Sequence, residues 1–75
     1  MRVFENARTE EWEAVVGRES WGAFFLIFLP RGRKESPRQA LLDAGSMEDA
    51  MKALATMTDQ ELRNALERSE VKTMD

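Results

Sequence analysis

The sequence predicts an α+β fold: a small antiparallel β-sheet of about three to four strands, followed by a C-terminal helical hairpin packed on one face. Three observations predict it. Residues 24 to 29 read "FFLIFL", an unbroken run of bulky apolar side chains closed by Pro30 and Gly32. Shorter stretches with two-residue alternation lie on either side of that run. From residue 46 onward the spacing turns helical, with two helix starts in succession. Seventy-five residues make one domain. It divides into 1–45, mainly β, then 46–70, two helices, and 71–75, a frayed tail.

The first element is "RVFEN", in which alternation sends Val3 to one side and Phe4 to the other. "ARTE" is a turn. "EWEAVVGRESW" supports two readings. As a strand it places Trp12, Ala14 and Val16 on one face, with Glu11, Glu13 and Val15 on the other. As a helix it would use Thr9 as cap, Glu10 and Glu11 at the positive end of the dipole, and Gly17 as terminator. Eight residues is short for a helix, and Trp and Val favour strands. The strand is preferred over 9–16, with the helix left open.

Residues 23 to 29 are the central strand, bounded by Gly22 and Pro30. "PRGRKESP" is a loop. "SPRQALLDAG" has a helix cap at Ser36, a proline suited to the first helical position and a terminator at Gly45. Its Ala40, Leu42 and Ala44 also alternate as a strand would. Residues 37–44 therefore stay open between strand and helix. Beyond them, Ser46 caps "MEDAMKAL", and Thr58 with Glu61 forms a capping box for the second helix. Leu62, Ala65, Leu66 and Ser69 make that helix's inner face. Met47, Ala50, Met51 and Leu54 make an apolar stripe on the first. Met47, Met51 and Met57 are read as core filling against the sheet. Glu48 with Lys52, and Asp59 with Arg63, are spaced as helical ion pairs.

The central strand has an unusual property. Phe24, Leu26 and Phe28 share one face, and Phe25, Ile27 and Leu29 share the other. Antiparallel sheets commonly show polar residues on a wet face, and this strand has none. Two helices cover one face. The second needs residues 37–44 as a helix, a strongly curled sheet, or another chain. Phe25, Ile27 and Leu29, with Trp12 or Trp21 as an anchor, are thus the candidate protein interface.

The charge cluster after the run has two explanations. Pro30, Arg31, Arg33 and Lys34 serve as gatekeepers beside an aggregation-prone strand. Alternatively Arg31, Arg33, Lys34 and Arg38, with Trp21 able to stack, form an anion or nucleic-acid contact in loop 31–38. The net charge of −3, and Glu35 inside the cluster, weigh against the second.

The chain has no histidine and no cysteine. That removes the commonest general base, the thiol nucleophile, disulfides and ordinary zinc sites. No phosphate-binding loop or EF-hand spacing occurs. No catalytic, cofactor-binding or metal site is expected, and no cofactor. No signal-peptide pattern opens the chain, and the apolar run is too short to span a bilayer, which needs about 20 residues. The expectation is a cytoplasmic, non-enzymatic interaction or regulatory module that forms a homodimer or binds a larger protein. The alternative is a nucleic-acid-associated regulator, and a weaker third reading is capture of a peptide at an exposed sheet edge.

Overall fold

The computed structural model describes residues 1–72. Its elements are β1 (Arg2–Glu5), β2 (Glu11–Arg18), β3 (Phe24–Pro30), β4 (Arg38–Leu42), α1 (Met47–Thr56), α2 (Asp59–Glu67) and β5 (Glu70–Val71). The strands form one antiparallel sheet in chain order, β1-β2-β3-β4-β5. Both helices lie between β4 and β5 and pack on one face. The α+β architecture is as predicted, with five strands rather than three or four.

Each connection has a local cause. Between β1 and β2, Asn6 Oδ1 accepts from the N–H groups of Arg8 and Glu10, both at 2.9 Å. This side-chain turn carries Thr9 into the left-handed region at φ 62°. Between β2 and β3, Gly22 at φ 95° permits the tight return that Glu19 and Ala23 close with a 2.9 Å hydrogen bond.

β2 is the strand that alternation favoured. β4 resolves the ambiguity of 37–44: it is a strand, paired to β3 from Phe24↔Leu42 to Phe28↔Arg38. Five residues inside a sheet exchange hydrogen bonds with a neighbour, and that outweighs the helix signals at Ser36, Pro37 and Gly45. The tail is corrected as well. Val71 pairs with Arg38, and Lys72 N donates to Pro37 O at 2.8 Å. The frayed tail predicted for 71–75 therefore does not begin at Val71, and residues 73–75 lie outside the described region.

The core fills the space between sheet and helices. Phe4, Trp12, Ala14, Leu26, Phe28 and Ala40 face Leu54, Leu62, Ala65 and Leu66, all of them buried. Phe4 meets Phe28 edge-on, with centroids 5.9 Å apart. Met47 and Met51 are exposed and do not fill the core. On α1 the inward positions belong to Ala50 and Leu54, while Met57 at its C-terminus packs only partly against the core. Asp59 pairs with Arg2 at 2.9 Å rather than with Arg63. Arg63 instead donates to Gln60 Oε1 and to the Glu5 carbonyl.

The capping box at the start of α2 is complete. Glu61 N donates to Thr58 Oγ1 at 3.1 Å, and Thr58 N donates to Glu61 Oε1 at 2.8 Å. Thr58→Ala removes half of it. The expected loss is about 1 kcal/mol, read as a fall in Tm of about 4–8 °C by circular dichroism.

Candidate interaction surface

The molecule measures 32 × 31 × 18 Å. The short dimension accommodates two layers, one sheet and one tier of helices. Among the described residues no element covers the other side of the sheet.

The register places the residues of that open face on a grid. Val3, Glu13 and Leu29 form one row. Val15, Ile27, Gln39 and Glu70 form the next. Gly17, Phe25 and Leu41 form the third. Val15, Phe25, Ile27 and Leu29 are half-buried by their neighbours, while Val3 and Leu41 are 42% and 60% exposed. Trp21, in the turn before β3, is 72% exposed and stands edge-on to Phe25 with centroids 6.2 Å apart. The result is an apolar field centred on β2, β3 and β4, with Glu13 between Val3 and Leu29 in the first row and Gln39 and Glu70 closing the second.

Gly17, at the β2 end of the third row, makes room for Ile27 in the middle of this field. A Cβ at that position would overlap Ile27 Cδ1. The isoleucine therefore lies down over the glycine instead of standing upright, a close approach that only the missing side chain allows.

Of the five residues assigned to an interface by sequence, Trp21, Phe25, Ile27 and Leu29 come together here. Trp12 does not. It sits on the opposite face, 2% exposed in the core beneath the helices. The alternation of β2 had already placed it with Ala14 and Val16, away from Val15. Sequence reasoning missed Val3, Val15 and Leu41, although alternation through β1, β2 and β4 was a sufficient signal for all three.

The basic loop is largely committed to the fold. The Arg33 guanidinium lies 5.0 Å over the Trp12 ring. It donates to Glu35 at 3.0 Å and to the Glu11 carbonyl at 2.9 Å. Arg31 stands between Glu11 and Glu13, at 3.8 and 3.6 Å. Arg38 points to the helix side and donates from Nε to Ser69 Oγ at 2.8 Å. Lys34 is exposed and forms no ion pair among the described residues. The four cations are therefore dispersed rather than gathered into one patch.

A concavity of about 410 Å³ opens beside Trp12. Arg8, Arg38 and Arg63 line it together with Glu10, Glu35 and Glu67. Three positive and three negative groups give it no net sign, so its net charge points to neither an anionic nor a cationic ligand. Among the described residues no group of carboxylates is placed to hold a metal ion, and no helix is long and apolar enough to cross a membrane.

In comparisons with known protein families, curated proteins and solved structures, nothing matches this chain.

Proposed function

We propose that this chain is a non-enzymatic protein-interaction module and that the open face of its sheet is the contact surface. One observation carries the reading. The field formed by Val3, Val15, Phe25, Ile27, Leu29 and Leu41, extended by Trp21, has no cover among the described residues. Contiguous apolar patches above a few hundred Å² are uncommon on monomers and mark contact sites. Trp21 supplies the type of anchor that dominates interface energetics. The dispersal of Arg31, Arg33 and Arg38 into separate contacts weighs against the nucleic-acid alternative.

The test compares the two faces of one strand in dilute protein. Leu26→Asp places a carboxylate at a fully buried site and is expected to abolish the fold. Ile27→Asp, one residue away, is expected to remain folded with a loss of about 1–2 kcal/mol. Leu41→Asp, at an exposed position, is expected to lose less. Circular dichroism with urea titration reads all three. If both Ile27→Asp and Leu41→Asp unfold as Leu26→Asp does, the face is core and the reading fails.

A further inference from the structure

We infer that the occupant of the open face is a second copy of this chain, bound about a twofold axis so that two sheets close into a four-layer helix–sheet–sheet–helix particle. This rests on the reading of the open face as a contact surface and names its partner.

Size is the first argument. The 32 × 31 Å outline of the molecule bounds a contact on this side at about 800 Å², the share of one partner in a standard-size stable interface, when the rim around the sheet joins the apolar field. Shape is the second. With Ile27 lying against Gly17, that side chain does not stand up from the field as a knob, and the depression on this side lies off its centre, between Phe25, Gln39, Leu41, Arg68 and Glu70. An apolar sheet face without a projecting knob is complementary to another such face, and two of them pack about 10 Å apart. A twofold axis satisfies both copies with the same contacts.

Charge is the third argument, and it fixes the arrangement. Glu5 and Glu11 are directly opposed across β1 and β2, with Glu13 two residues further along the same face. Among the described residues only Arg31 pairs with any of these three carboxylates. The diagonally opposite corner holds Arg68, which lines a depression of about 270 Å³ with Phe25, Gln39, Ala40 and Leu41, next to Glu70. Among the described residues its side chain makes one long 3.5 Å contact, from Nη1 to the Leu41 carbonyl. The two corners are four strands and six residues apart, about 20 Å in each direction. A twofold axis along the other diagonal lays each acidic corner on the partner's Arg68. Because the face is nearly square, that axis turns the strands of one sheet close to perpendicular to those of the other, which is the orthogonal class of sheet packing.

Light scattering after size exclusion, over a dilution series of the full chain, is the experiment. The expected result is twice the chain mass of 8.6 kDa, falling to the single mass on dilution. Ile27→Asp and Leu41→Asp are expected to run as folded monomers throughout. Arg68→Glu is expected to weaken dimerisation about three- to tenfold, and adding Glu5→Arg to restore it. A dimer unaffected by Ile27→Asp and Leu41→Asp would use another surface and overturns the proposal. A dimer lost in those variants, yet indifferent to Arg68→Glu and to the double exchange, overturns the diagonal twofold. A monomer at every concentration that binds a hydrophobic dye, with binding lost in Leu41→Asp, overturns self-association and leaves the contact-surface reading standing. A monomer that binds no dye overturns both.

Discussion

Phe28→Ala is expected to leave the chain unfolded at 25 °C. Phe28 is fully buried in the middle of β3, paired with Ala14 on one side and Arg38 on the other. Its ring packs edge-on against Phe4 and lies under the helices. Truncating a buried phenylalanine costs about 3–5 kcal/mol. A domain of this size holds only about 3–5 kcal/mol in total, and with no cysteine it has no disulfide to add to it. The loss therefore equals the whole reserve. Leu41→Ala is the control: it truncates an apolar side chain at an exposed site of the same sheet, and its expected loss is within about 0.5 kcal/mol in dilute protein. Urea titration followed by circular dichroism separates the two. A folded Phe28→Ala variant with near-normal stability would mean that the helices do not lie on this face.

Arg2→Ala is the second large effect, at an expected 2–3 kcal/mol, or about half the reserve. Arg2 faces the helix side from the edge strand β1. Its Nη1 donates to the carbonyls of Leu54 at 3.1 Å and Met57 at 2.7 Å, and its Nη2 meets Asp59 Oδ1 at 2.9 Å. The carbonyls at the end of a helix have no partners within it and carry the negative end of the dipole. α1 has no basic residue in its own last turn, so Arg2 supplies the cation from a distant part of the chain. Asp59 is more than half exposed, and such an ion pair contributes about 0–1 kcal/mol. The carbonyl bonds are the larger share. Asp59→Ala is therefore expected to cost well under half as much as Arg2→Ala. Arg2→Lys, which keeps the charge but loses the forked donors, falls between them. Equal losses from Arg2→Ala and Asp59→Ala would assign the effect to the ion pair instead.

The sheet's centre and the helical hairpin were legible because local signals and tertiary outcome agree there. At β3 the apolar run, Gly22 and Pro30 point one way. At Thr58 and Glu61 the residues that close the capping box adjoin the helix they serve. β4 was ambiguous because Ser36, Pro37 and Gly45 are a passable set of helix signals. Its strand state comes from partners on β3 more than ten residues away. β5 was missed because two residues, Glu70 and Val71, carry no pattern at all. They become a strand only after Ser69 reaches Arg38 and brings the chain back to the sheet. Of the candidate interface, Phe25, Ile27 and Leu29 could be read from one strand alone. Trp12 was set beside them because its size, rather than its phase in β2, was given the deciding weight. The commitments of Arg31, Arg33 and Arg38 could not be read, since each depends on a group brought near by folding.

The order of strands along the chain has a consequence for synthesis. Four strands are complete by Leu42, but the helices that shield Leu26 and Phe28 end only at Glu67. At about 5–20 residues per second, the nascent sheet spends seconds with apolar side chains bare on both sides. Arg31, Arg33, Lys34 and Glu35 leave the synthesis machinery directly behind β3, before either helix exists. During that interval their charges oppose stacking of one unfinished sheet on another, and the first face to be closed is the one the chain covers by itself.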